Sequence, residues 1–81
     1  MIRSEIEEKI NHFLVDEFEI DEEAIKEDAH LMNDLGIESL DFVDIVVVIE
    51  KDFNFKVNRE DIAKVRSLKD LYNYIEENLN K

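Results

Sequence analysis

A chain of 81 residues has room for one small domain, expected over residues 1–81, and 44% apolar content beside 40% charged residues is enough to build a core, unlike a disordered sequence. Ten basic residues against 22 acidic ones give a net charge of −12, which argues against nucleic-acid phosphate or an anionic membrane surface as partner. With no cysteine there is no disulfide to staple so small a core, and a reducing compartment is in keeping. No leader-like segment or membrane-length apolar run is seen, so the cytoplasm is the expected location.

From Ser4 to Phe18, the residues Ile6, Ile10, Phe13, Leu14 and Phe18 recur at helical spacing, and Ser4 with Glu7 has the spacing of a capping box that would start the helix. Glu19 to Ile37 has no sustained period. It sets isolated apolar anchors (Ile20, Ile25, Leu31, Leu35) among acids, which predicts a long ordered loop with one helical turn after Asp21. A loop of that length in a small domain is usually functional.

A second helix is predicted from Glu38 or Ser39 to Asp52. Steps of 100° put Phe42, Val43, Val46, Ile49 and Phe53 on its core face, with Asp41, Asp44 and Lys51 opposite. Val48 falls among these outward residues, and Leu40 and Val47 lie on the flank. Such outward apolar residues read either as a docking strip or as ordinary surface scatter. Glu50 lands inside the apolar arc and is expected to swing out at the helix end. Asn58 with Asp61 predicts a short helix carrying Ile62 and Val65. Ser67 with Asp70 starts a last helix whose stripe is Leu68, Leu71, Tyr72, Ile75 and Leu79. The alternation from Phe53 to Val57 is too short to make a sheet. The expected fold is all-α, a small four-helix bundle of three longer helices and a short third, with the long loop between the first and second.

Little here supports catalysis, and the chain is not expected to be an enzyme. His12 and His30 lie on different elements without metal-ligand spacing, and acid pairs such as Asp41 and Asp44 have no evident pocket to shift their protonation. A calcium loop centred on Gly36 fails, because Leu31 and Leu35 would occupy ligand positions. One glycine cannot build a phosphate cradle of the glycine-rich kind. Ser39 stands apart. It lies at a helix start, beside unpaired backbone N–H groups and the positive end of the helix dipole, a place that suits a phosphate ester. On this reading alone it is either a helix cap or a point of attachment. The half from Asn11 to Glu50, with Lys26 its only basic residue, presents a negative field that would steer basic partners.

The stretch Asp34-Leu35-Gly36-Ile37-Glu38-Ser39-Leu40-Asp41 resembles the prosthetic-group site of acyl carrier proteins, whose usual pattern is DLG-x-DSL-D. The likeness extends over nearly the whole chain, through the order of helices to Tyr74 and Ile75 in the last one. It implies a carrier: Ser39 esterified by 4′-phosphopantetheine from coenzyme A through a separate magnesium-dependent phosphopantetheinyl transferase, the terminal thiol then holding acyl groups as thioesters. A cysteine-free protein would thereby do thiol chemistry through a cofactor. The resemblance further implies a monomeric carrier serving fatty-acid, polyketide or related biosynthesis. Glu38, Leu40, Asp41, Asp44, Val47 and Val48 would face the transferase and the acyl-transferring and condensing enzymes, which carry basic docking patches.

Glu38 departs from the usual aspartate. Either it caps imperfectly, its carboxylate being one methylene too far out, or Ser39 caps the helix with its own hydroxyl; the departure points to a specialised or pathway-specific carrier, with a housekeeping carrier and a homologue that has lost modification as the open alternatives. Phe42, Ile62 and Leu71 are bulky where the family it resembles often has smaller residues facing the interior, which implies a tight interior that shelters only a short acyl chain, if any. The competing reading is a small acidic interaction module in which Ser39 is only a cap.

Overall fold

The computed structural model describes residues 2–80. Helix α1 spans Arg3–Phe18, a 3₁₀ turn spans Glu22–Ala24, and α2, α3 and α4 span Asp41–Phe53, Arg59–Ile62 and Leu68–Leu79. Among the described residues no strand forms, and the all-α arrangement of three longer helices and a short third is the expected one.

Helix α4 is the hub, packed on both α1 and α2. Its stripe of Leu68, Leu71, Tyr72 and Ile75 is buried, facing a core that includes Ile6, Ile10, Phe13 and Leu14 from α1. Each such side chain contributes roughly 1.5–3 kcal/mol by leaving water. The sequence sets where α4 begins: the Ser67 hydroxyl accepts the Asp70 N–H at 3.2 Å, and Asp70 Oδ2 accepts the Ser67 N–H at 3.2 Å, a complete capping box. Asn58 caps α3 in the expected way, its side-chain oxygen accepting the amides of Glu60 and Asp61.

Helix α1 starts otherwise than its spacing suggests. Ile2 occupies the N-cap position with no side-chain bond, and Ser4 lies inside the helix. With Ser4 already helical the pair cannot form a capping box, and Glu7 instead accepts from Arg3 Nε at 3.0 Å. The same guanidinium donates to Asn73 Oδ1 at 2.8 Å and stands 5.4 Å from the centre of the Tyr72 ring, tying the start of α1 to α4. The Tyr72 hydroxyl donates to Asn11 on α1, which satisfies a polar atom carried into the core.

The core face of α2 is also rotated from the expected one. Ile45, Ile49 and Phe53 are buried and Phe42, Val46 and Val48 half-buried, while Val43, expected inside, is exposed. Val48 packs against the core and is not part of an outward strip. Glu50 does not swing free: its Oε2 accepts the Val57 N–H at 2.9 Å and holds the turn between α2 and α3.

The Ser67 N–H, together with the Arg66 N–H and the Ser67 hydroxyl, holds the Asp70 carboxyl below its usual value, outweighing a rise from desolvation. A group depressed in the folded state stabilises fully above its unfolded value of 3.8, and that contribution is lost as pH falls through the folded value. Asp70→Asn is therefore expected to lower stability near neutral pH by no more than about 1 kcal/mol, because the carboxylate is exposed to solvent. Urea unfolding of both proteins should show that difference shrinking towards zero as the pH is taken below 3.8.

Candidate phosphopantetheine attachment site

The loop between α1 and α2 is ordered by backbone bonds to the start of α4. The Leu31 N–H donates to Arg66 O at 2.9 Å, the Leu68 N–H to Ala29 O at 3.0 Å and the Lys69 N–H to Glu27 O at 2.9 Å. Ile20, Leu31 and Ile37 are buried beneath it, and Ile25 and Leu35 are half-buried against the core.

His30 builds the next turn. Its Nδ1 accepts the amides of Met32 at 3.2 Å and Asn33 at 3.1 Å, and its own N–H donates to Asp34 Oδ2 at 2.7 Å. The ring can accept at Nδ1 only with that nitrogen unprotonated. This is a capping arrangement with histidine where serine or aspartate is usual. The sequence signal was there, an acceptor four residues before Asp34, but histidine is not among the usual caps. His12 stands apart from the site, exposed beside Asp16 at 3.2 Å. Among the described residues no group of three or more histidines and acids is placed to hold a metal ion.

Gly36 follows with φ +71°, a left-handed conformation that lets the Ile37 N–H return to Leu31 O at 2.9 Å. The chain then climbs into α2 through a tight turn. The amides of Asp41, Phe42 and Val43 donate to the carbonyls of Glu38, Ser39 and Leu40 at 2.9, 3.2 and 3.3 Å, so Ser39 lies two residues before α2 rather than within it. Asp41 Oδ2 accepts the Glu38 N–H at 3.0 Å. The N-cap position belongs to Leu40 and has no side-chain cap, so neither Glu38 nor Ser39 fills that role. The bonds of this turn run between backbone groups and the Asp41 carboxylate. They leave the exposed Ser39 hydroxyl unused.

Beside Ser39 opens a cleft of about 460 Å³ between α2 and the α3 region. Phe42, Val43, Val46, Val47, Ile62 and Val65 form its apolar wall, and His30, Glu50, Arg59 and Arg66 supply its polar groups. Leu71 and Ile62 are both buried in the core, but Ile62 and half-buried Phe42 also line this open cleft.

Of the residues expected to meet partners, Glu38 and Asp44 are exposed and Asp41 is half-buried through its bond to Glu38. Leu40 and Val47 are 81% and 56% exposed, and Val43, which sequence periodicity had turned inward, joins them at 54%. Met32 also stands exposed at the foot of this surface. Arg59 and Arg66 had no signal beyond their charge.

Comparison with known proteins gives the family. The family model of the phosphopantetheine attachment site matches residues 8–75, and the chain belongs to that family. A Thermotoga maritima protein named acyl carrier protein is 38% identical over 77 residues, which is 95% of this chain and 95% of its own length. A protein of the same name from Coprothermobacter proteolyticus is 34% identical over 79 residues, covering 98% of this chain and 96% of its own. Membership makes the chain a carrier and not an enzyme, with covalently bound 4′-phosphopantetheine as its cofactor.

The loop geometry rests on one residue that no L side chain fits without strain. A Cβ at Gly36 would meet nothing within 4 Å, so the penalty for Gly36→Ala is conformational rather than steric. Urea unfolding is expected to show a loss of about 1 kcal/mol for alanine and a smaller one for asparagine, which tolerates the left-handed region better.

Proposed function

We propose that Ser39 is the residue that carries the arm, and that the protein delivers acyl groups as thioesters to enzymes of fatty-acid, polyketide or related biosynthesis. The observation that carries this reading is the Ser39 hydroxyl, exposed at the mouth of an apolar cleft and left out of the hydrogen bonds of its own turn. Had Ser39 capped α2, its oxygen would be engaged by an amide of the first turn.

The residues around it suit the group. Among the described residues the amides of Ser39 and Leu40 have no backbone acceptor, and the positive end of α2 lies just beyond, worth about 0.3–1 kcal/mol to a phosphodiester at an exposed site. In the modification, Ser39 Oγ loses its proton and forms a bond to the phosphorus bearing the pantetheine of coenzyme A, while adenosine 3′,5′-bisphosphate leaves. When bound, the arm supplies a thiol on which acyl groups ride as thioesters. The apolar wall of Phe42, Val46 and Ile62 gives an acyl chain a place out of water.

Glu38, Asp41 and Asp44 offer carboxylates, and Leu40, Val43 and Val47 offer apolar contact, to a phosphopantetheinyl transferase and to acyl-transferring and condensing enzymes with basic patches. The protein acts, on this reading, as a monomeric single-domain carrier over residues 1–81 in the cytoplasm. Among the described residues no helix is long and apolar enough to cross a membrane, which is compatible with it.

Incubation with coenzyme A, magnesium and a broad-specificity phosphopantetheinyl transferase is expected to add the mass of one phosphopantetheine, and Ser39→Ala to abolish the gain. A gain that persists in the variant places the arm elsewhere. No gain in either protein leaves an acidic helical interaction module.

Asp44→Lys is expected to slow the modification by roughly tenfold at low salt, with the difference fading at high salt. An unchanged rate at low salt, with the fold intact by circular dichroism, removes Asp44 from the docking surface.

A further inference from the structure

The charge of this chain is unevenly spread. From Lys51 to Lys69 there are six basic residues against three acidic ones, in a protein of net charge −12. Two of the six, Arg59 and Arg66, line the cleft beside Ser39. The third arginine of the chain, Arg3, is taken up by Glu7 and Glu76, but among the described residues neither Arg59 nor Arg66 has a carboxylate within ion-pair distance. Their backbones are nevertheless held. Arg66 bridges the loop and α4 through its carbonyl and amide, and Arg59 is the first residue of the Asn58-capped α3. Glu50 is the one carboxylate on the cleft, and one of its oxygens already accepts the Val57 N–H.

Two guanidinium groups with no carboxylate partner, in so acidic a protein, mark a place where an anion is favoured. Most of the remaining lining of the cleft is apolar, which suits methylenes rather than a charged group. We propose that the cleft selects an acyl group whose far end is a carboxylate, its chain lying on Phe42, Val46 and Ile62 and its carboxylate met by Arg59 and Arg66. Arginine is the residue suited to this, since its planar fork matches a carboxylate with two parallel hydrogen bonds. The proposal rests on Ser39 as the attachment point and adds to it the class of cargo.

The test loads the full chain at Ser39 from adipoyl- or hexanoyl-coenzyme A, two cargoes of equal length that differ in a terminal carboxylate. The free-thiol form serves as reference, and mass spectrometry verifies each product. Adipoyl loading is expected to shift the side-chain Nε–Hε resonances of Arg59 and Arg66, hexanoyl loading to leave them in place, and the shift to fade with salt. Hydrolysis of the adipoyl thioester is expected to quicken by roughly threefold in the Arg59→Gln/Arg66→Gln double variant, the scale of an exposed ion pair, with the hexanoyl thioester unaffected. Equal spectra for the two cargoes overturn the proposal. So does a shift of both arginines on attachment of the arm alone, which would make the phosphodiester the anion they meet. Absence of any mass gain strikes at the attachment itself and takes this inference with it, whereas a normal gain with unmoved arginines overturns this inference alone.

Discussion

The site depends on three backbone hydrogen bonds that join residues 27–31 to residues 66–69. Without them the chain between α1 and α2 would have only the burial of anchors such as Ile20, Leu31 and Ile37 to set against an ordering cost of about 1–2 kcal/mol per residue. The bonds fix Ala29 and Leu31 against the start of α4, and Leu31 is fully buried there. From that point the path is short. His30 closes one turn, Gly36 reverses the chain, Ile37 returns to Leu31, and Ser39 follows two residues later. The same bonds hold the backbone of Arg66, so one small ladder positions both the serine and a cation of the cleft beside it.

Helix α2 begins without the side-chain cap that α3 and α4 both have. A cap is worth about 1 kcal/mol, so leaving one out is a loss of stability at this place. Asp41 offsets part of it by accepting the Glu38 N–H, which stiffens the turn without using the Ser39 oxygen. A serine that capped α2 would have its oxygen tied to an amide of the first turn. An uncapped start keeps that oxygen available, and local violations of this kind are expected where function competes with stability.

What could be read from the sequence was whatever is decided locally. Asn58 and the Ser67–Asp70 box marked α3 and α4 because a cap and its amides lie within one turn of each other, and the α4 stripe has a clear period with polar residues between. The phase of α2 was not readable in this way. Ile45-Val46-Val47-Val48-Ile49 is apolar at every step, and an unbroken run carries no angular information, so packing against α4 decided which residues went inside. The false cap at Ser4 has a related cause, since Arg3 engages Glu7 and reaches residues seventy positions away, which local spacing cannot report. Glu50 could look misplaced for the same reason: its partner, the Val57 N–H, lies beyond the helix end. At the site, the DLG and serine spacing gave Ser39 its neighbours, but the cleft is made by α2 meeting a different stretch of chain and left no trace in the motif.

That unbroken run also bears on what the helix is for. A helix that served only the core could do so with Phe42, Ile45, Ile49 and Phe53, leaving polar residues elsewhere. Instead Val43 and Val47 remain on the surface, more than half exposed, and both also line the cleft. An exposed valine adds nothing to folding by burial, and contiguous apolar surface is a liability for a small protein unless something covers it. The surrounding acids, Glu38, Asp41 and Asp44, lower that liability by keeping like molecules apart while leaving the surface open to basic ones. A chain lying in the cleft and a protein docked on the outer face of α2 would both draw on Val43 and Val47, so the two forms of burial share one surface. For a carrier such sharing would be useful: cargo and partner would be sensed at the same pair of side chains, next to the hydroxyl from which the arm would swing.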